Sequence, residues 1–300
     1  MEKESKKYIE YWDEAIRKWA DSPAPDFVES ERYWLEPTVA KRVKRPVAEA
    51  IGLQPELLPN PYWGNPEKCS AVIINYNPGG SSLSGEALRV DHCHHCHVND
   101  GNPGLMASAI ARDYSTAALK VPDFSQAKYD YWARREGTAF WNWMRQRNEW
   151  VKRMLPDTTL PPFFIEICGW HSKRWNCHLL PPKVMEEIRR RVAPVLVESI
   201  LNSEAGVGFA IGATFARQGN ILNFFGYDDI TTQLTGNDTI KPIPEMQRWY
   251  KVFILPDKGA PIIVTWSEGS NRQPAAHFAE FECELVAKTR AYIKKQGPIQ

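Results

Sequence analysis

Three hundred residues with 43% hydrophobic and 24% charged side chains make an ordinary folded chain with material for a large core. Thirty-seven Lys and Arg against 36 Asp and Glu leave a net charge of +1. No global field therefore draws the chain onto nucleic acid, and any basic surface has to be local.

The chain opens on MEKESKKYIEYWDEAIRKW, a charged segment without the apolar run of a secretory leader. No later stretch approaches the ~18 continuous apolar residues of a membrane span. A cytoplasmic location with no membrane partner is expected, where the six cysteines are thiols or ligands rather than disulfides. Tyr8, Trp12, Ile16 and Trp19 recur at helical spacing and mark one apolar face. Residues 1–57 read as a helical N-terminal extension. It carries the basic run Lys41, Arg42, Lys44 and Arg45 and gives way to the turn-rich LPNPYWGNPEKC (58–69).

The body, residues 58–300, alternates between two periodicities. Strands are expected near 70–76, 162–168, 207–212, 250–255 and 261–266, and helices over 136–154, 183–202, 213–219 and 274–295. Such alternation predicts an α/β domain, a three-layer α/β/α sandwich around a central, mostly parallel sheet. Residues 80–130 form one long insertion after the first of these strands.

That insertion contains DHCHHCH (91–97). Cys93 and Cys96 have the spacing that lets two thiolates reach one tetrahedral ion, with His97 or His92 as third ligand. A fourth would come from afar, from Cys168, Cys177 or His178. A structural zinc is one reading and a solvated polar loop the other. The Cys-x-x-Cys-His form also fits haem attachment, but without an export leader no haem is expected, and no other cofactor is required. Further on, residues 129–154 interleave Trp132, Trp141, Trp143 and Trp150 with six cations. This pattern suits a grip on single strands or an amphipathic helix with arginines in water. Arg189, Arg190 and Arg191 read as a solvated helix face. Lys173 and Arg174 follow a strand end and are candidates for nucleic-acid backbone phosphate.

The stretch AVIINYNPGGSS (71–82) ends a buried strand abruptly in Asn77, Pro78, Gly79 and Gly80. In an open parallel sheet, ligands bind beyond the carboxyl ends of the strands. Pro78 fixes one torsion there, and the two glycines permit close approach of backbone to ligand. Spacing alone fits a tight strand exit as well as a ligand loop.

NYNPGG resembles the first motif of the uracil-DNA glycosylase superfamily, in the Gly-hydrophobic-Asn-Pro-Gly form of its mismatch-specific and single-strand-selective branches. GVGFAIGATFARQG (206–219) looks like a later strand of that family leading into a short helix. PIIVTWSEGSNRQPAAHF (261–278) looks like its last strand with a Ser-containing loop. FFIEICGWHSKRW (163–175) falls where the family places a strand carrying a base-recognition residue.

The resemblance implies hydrolysis of the N-glycosidic bond of a damaged or deaminated base flipped out of DNA. Asn77 would hold the attacking water. Tyr76, Pro78 and Gly79 would contact base or phosphate, with His171, Ser267 and Ser270 supplying further polar contacts. Thr265 stands where relatives carry His or Asn and would give the leaving base a weaker hydrogen bond. Asn75 replaces a family glycine. Asn77, Gly79, His171, Thr265 and Ser267 are expected to share one cleft, with DNA or a nucleotide-like ligand as partner. The alternative is a nucleobase- or nucleic-acid-binding module of the same fold that is catalytically weak or inactive.

Overall fold

The structure, a computed structural model, describes residues 2–20, 27–39, 44–55, 57, 59–76, 139–217, 219–242, 247–267 and 274–296. Its helices are α1 (Glu4–Ala20), α2 (Val47–Ile51), α3 (Ala139–Met154), α4 (Pro182–Asn202), α5 (Ala213–Ala216), α6 (Ile221–Phe224), α7 (Thr231–Thr235) and α8 (Ala279–Gln296). The strands are β1 (Tyr62–Trp63), β2 (Val72–Asn75), β3 (Phe163–Glu166), β4 (Gly208–Ile211), β5 (Asp228–Asp229), β6 (Arg248–Leu255) and β7 (Ala260–Ser267). Among the described residues no helix is long and apolar enough to cross a membrane.

The strands form one sheet in the order β1-β3-β2-β4-β7-β6-β5. Strands β2, β4 and β7 are parallel, with Ile73 opposite Phe209 and Phe209 opposite Ile263. Val72, Ile73 and Ile74 are fully buried, as an interior parallel strand covered on both faces requires. Phe163 N–H reaches Ala71 O and Ile167 N–H reaches Asn75 O, both at 2.9 Å. The two contacts advance together, so β3 runs parallel to β2.

The sheet is parallel through its interior strands β3, β2, β4 and β7, as expected, and becomes mixed toward β5. Strand β6 pairs antiparallel with both β7 and β5. The reason lies in the connection. Pro256–Gly259 is a four-residue turn, far too short for the crossover that a parallel neighbour needs. Gly259 closes it at φ 66, with its N–H 2.9 Å from Leu255 O; that left-handed conformation suits glycine.

The chain divides into two compact units. The first comprises Met1–Asn65, Asn75–Asn142 and Ile165–Val195, and the second Pro66–Ile74, Trp143–Phe164 and Leu196–Gln300.

In the first unit the N-terminal helix is a core element. The apolar stripe Tyr8, Trp12, Ile16 and Trp19 is buried as its spacing predicts. Trp12 meets Trp170 edge-on at 6.4 Å, and Tyr8 packs on Tyr62 at 5.8 Å. Gly169 makes this approach possible, since a Cβ there would lie 2.6 Å from the Trp12 ring.

Beside them Glu31, fully buried, accepts from five donors: the hydroxyls of Tyr11 and Tyr33, the indoles of Trp34 and Trp170, and the guanidinium of Arg191. Arg191 thus departs from the solvated face expected of it, its Cζ lying 3.9 Å from the Tyr11 ring centroid. Arg189 and Arg190 do stand in solvent, paired to Glu186 and Glu187.

The second unit packs α3 and α8 with β4, β6 and β7. The Trp150 ring meets Phe209 at 5.5 Å.

Candidate functional site

Each unit carries a polar cluster where strands end. In the first, Asn75 closes β2, and the chain beyond β3 pins its exit: Ile167 N–H bonds Asn75 O at 2.9 Å and Cys168 N–H bonds Tyr76 O at 2.8 Å. The Tyr76 ring stacks on Trp175 at 6.0 Å and 23°. His171 is 8% exposed and lies 3.1 Å from Asn60 Nδ2 through its Nε2.

Asn60 and His171 are themselves fixed through the backbone. Asn60 N–H donates to Gly169 O at 2.8 Å, and His171 O accepts from Gln54 at 2.9 Å. Among the described residues, Asn75 Nδ2 and Trp175 Nε1 are buried without a hydrogen-bond partner. Buried donors of that kind mark a place where water or a polar ligand is accommodated. Glu166, buried at the end of β3, is an acid that the sequence reading passed over. The signal was a charge closing the otherwise apolar run FFIE. Lys173 and Arg174 are exposed, with their backbone N–H groups on Gly52 O and Ile51 O.

In the second unit the cluster lies at the carboxyl end of β7. Thr265 is 1% exposed and its carbonyl accepts from Gly212 N–H at 2.9 Å, which ties the exits of β4 and β7 together. Gly212 adopts φ 134 there, a torsion that a side chain would strain. Arg248, 7% exposed, donates from its two terminal nitrogens to Thr265 Oγ1 at 3.2 Å and Ser267 Oγ at 3.4 Å. The structure thereby brings Thr265 and Ser267 together through a residue the sequence reading had not singled out. Its signal was parity: buried Tyr250 and Val252 place Arg248, two residues earlier, on the same inward face of β6. On the opposite face Trp249 and Trp266 stack at 6.2 Å and 21°.

Behind Thr265 lies Tyr250, its register partner. The Tyr250 hydroxyl donates to Glu282 Oε1 at 2.8 Å, and Trp150 Nε1 donates to Oε2 at 3.0 Å. Trp150, Met154, Phe209, Tyr250, Ile263 and Leu285 surround this carboxyl and leave no room for a water molecule. Burial therefore pushes Glu282 up to about 7, against the pull of the Tyr250 and Trp150 hydrogen bonds and the charges of Arg248 and Arg153.

Asn77, Pro78, Gly79, Ser270, Cys93, Cys96 and His97 lie outside the described residues, and with them the expected cleft and the zinc ligands. Of the remaining site candidates, Tyr76, His171, Lys173 and Arg174 belong to the first unit, and Thr265 and Ser267 to the second. Among the described residues no group of three or more His, Cys, Asp or Glu could hold a metal ion. Cys168, named as a distant ligand, is a buried thiol donating to Trp170 O at 3.5 Å. Burial also raises its pKa well above the usual thiol value, opposing the thiolate that a metal needs. Comparison with protein-family models, curated proteins and solved structures finds no match to this chain.

Proposed function

We propose that this chain is a DNA N-glycosylase of the uracil-DNA glycosylase type, with that family's three-layer α/β/α fold, acting on a damaged or deaminated base flipped out of DNA. One observation supports the reading above the others. Strand β2, which delivers NYNPGG, is an interior strand between β3 and β4. A place at the sheet edge would have ended the comparison. Strands β4 and β7, which supply the strands of two of the other resembling segments (206–219 and 261–278), run parallel to it. All three segments therefore leave the sheet at the carboxyl edge, where ligands bind in open α/β sheets.

In this mechanism the C1′–N bond breaks with its electron pair on the base, and water adds at C1′ and releases a proton. The Asn77 carboxamide positions that water, although it is no strong base. The sugar becomes cation-like and the base anionic, so the largest catalytic contribution comes from donors fixed in advance at the leaving base. His171 is a candidate for contact with the base, held by Asn60. Lys173 and Arg174 are available to backbone phosphate.

A second reading, a nucleobase-binding module without the chemistry, draws on one feature. Thr265 is 1% exposed, which keeps its hydroxyl away from a ligand. Oligonucleotides carrying uracil, hypoxanthine, xanthine or a mismatch, treated with alkali after incubation, separate the two. Abasic-site cleavage that Asn77→Ala reduces about a hundredfold or more supports the glycosylase. Binding without cleavage of any substrate supports the module.

A further inference from the structure

Behind the carboxyl end of β7, side chains of the second unit form a line of hydroxyl and carboxyl groups. Tyr250 and Thr265 are register partners across β6 and β7. The Tyr250 hydroxyl donates to Glu282 Oε1 at 2.8 Å, which leaves its oxygen to accept, and the Thr265 hydroxyl hydrogen-bonds that phenol. Thr265 Oγ1 accepts in turn from Arg248 at 3.2 Å. One donor sequence therefore runs from Arg248 through Thr265 and Tyr250 to Glu282. Its far end is closed. Trp150 Nε1 donates to Glu282 Oε2 at 3.0 Å, and the apolar surround has no room for water.

That closure fixes what a proton on Glu282 must do. An indole nitrogen only donates, so Oε2 has to stay an acceptor and the proton has to sit on Oε1, facing Tyr250. The Tyr250 oxygen then accepts from the carboxyl, and its own proton turns to Thr265. Thr265 Oγ1 now receives donors from both sides. The one-directional sequence, in which each bond polarises the next, is broken there. Among the described residues, Arg248 from β6 and Arg153 from α3 are the charges acting on Glu282, and both guanidiniums keep their protons through the neutral range. Strands β4 and β7 line its surround with Phe209 and Ile263. On α8 the neighbouring Cys283 thiol is pushed up by burial and by Glu282 itself, and so stays neutral. Glu282 is the member of this cluster that changes charge near neutrality, at about 7.

We propose that Glu282, Tyr250 and Thr265 form a reversible hydrogen-bond relay, by which the charge state of a buried carboxyl sets how the end of β7 holds Arg248. The ionised arrangement, with every donor pointing inward, keeps this end of the candidate site preorganised, and protonation loosens it. The relay is a property of the fold; its effect on excision rests on the glycosylase reading. Glu282 and Tyr250 act as positioning residues, through Thr265 rather than on substrate.

The intact protein, Glu282→Gln and Tyr250→Phe are compared over about pH 5 to 9 by two readouts. One is nuclear magnetic resonance of the Trp150 indole N–H and the Thr265 methyl group; the other is single-turnover excision from oligonucleotides carrying uracil, hypoxanthine or xanthine. In the intact protein both resonances should follow one titration near neutrality, and excision should rise severalfold through it as pH increases. Glu282→Gln must turn its amide oxygen to Trp150 and its nitrogen to Tyr250. That locks the reversed arrangement, so the Thr265 resonance should keep its acidic position and the excision step should vanish. Tyr250→Phe removes the connecting hydroxyl and leaves the carboxyl. Trp150 should still report a titration, moved to higher pH by the lost donor, while Thr265 and excision no longer follow it. A Thr265 methyl that ignores Glu282 in the intact protein overturns the relay. So does a Thr265 or excision step that survives in Tyr250→Phe, since the charge then acts through space. Coupled resonances with a flat excision profile overturn the link to the site. A parent protein that excises no base overturns the glycosylase reading alone, because the two resonances test the relay without substrate. If Tyr250→Phe loses its native near-ultraviolet circular dichroism, Thr265→Val cuts the same relay; an excision step that persists there overturns it.

Discussion

Two buried glutamates show how differently one residue type behaves. Glu282 has two donors and a dry apolar surround, so it holds its proton up to about pH 7 when folded, against an ordinary value of 4.5. Between those values the folded chain binds more protons than the unfolded one, so stability is fully present below the window and falls as pH rises through it. Urea unfolding from pH 5 to 8 should show a decline of up to about 3 kcal/mol, flat above neutrality, and Glu282→Gln should remove most of that slope. Glu31 has five donors, one of them cationic. Arg191→Met should cost about 3 kcal/mol by leaving a buried carboxylate without its counter-ion. Glu31→Leu should cost more, since it strands four aromatic donors as well as the guanidinium. Equilibrium denaturation of both variants checks the order; a cheaper Glu31→Leu would mean that the donors reach water.

At the scale of elements, α1 docks through one close approach. Gly169→Ala sets a methyl 2.6 Å from the Trp12 ring and 3.0 Å from Pro61 Cβ. It should destabilise the protein by about 1–3 kcal/mol and shift tryptophan fluorescence, because a rigid indole has to move. Whole elements were mostly legible in the sequence. The run Val72–Ile74 and the stripe of α1 announce their structures through local periodicity, and β2, β3, β4, β7, α3 and α4 fall within a few residues of expectation. What stayed hidden depended on partners distant in sequence. Arg191 sits beside two solvated arginines, and only Glu31, 160 positions away, separates its fate from theirs. Arg248 reads as an ordinary strand-edge charge until β6 is known to be antiparallel to β7. The four-residue turn PDKG carries the signal of that hairpin, since it is too short for a crossover. Tyr76 and His171 were singled out through motif position, whereas Glu166 had only the weaker signal of one charge closing an apolar run.

At the scale of the whole molecule, residues 1–20 cannot be dispensable. Deleting residues 2–20 uncovers Trp170 and Tyr62 and removes the Tyr11 donor from Glu31. Truncated protein should melt well below the intact chain or fail to remain soluble, as scanning calorimetry and sedimentation would show; an unchanged melting temperature would make α1 an appendage after all.

The division into units also bears on how the protein is made. Six alternating segments build them, so the chain passes between the units five times. As the ribosome extends the polypeptide, the first unit waits for Val195 and the second for the final helix. Early segments such as Pro66–Ile74 emerge long before β3 and β4, which flank β2 in the sheet. Synthesis at roughly 5–20 residues per second leaves such apolar stretches uncovered for seconds, a window in which chaperones act. A frameshift just after Val195 would finish the first unit while leaving the second with only 66–74 and 143–164, since strands β4 to β7 would never be translated.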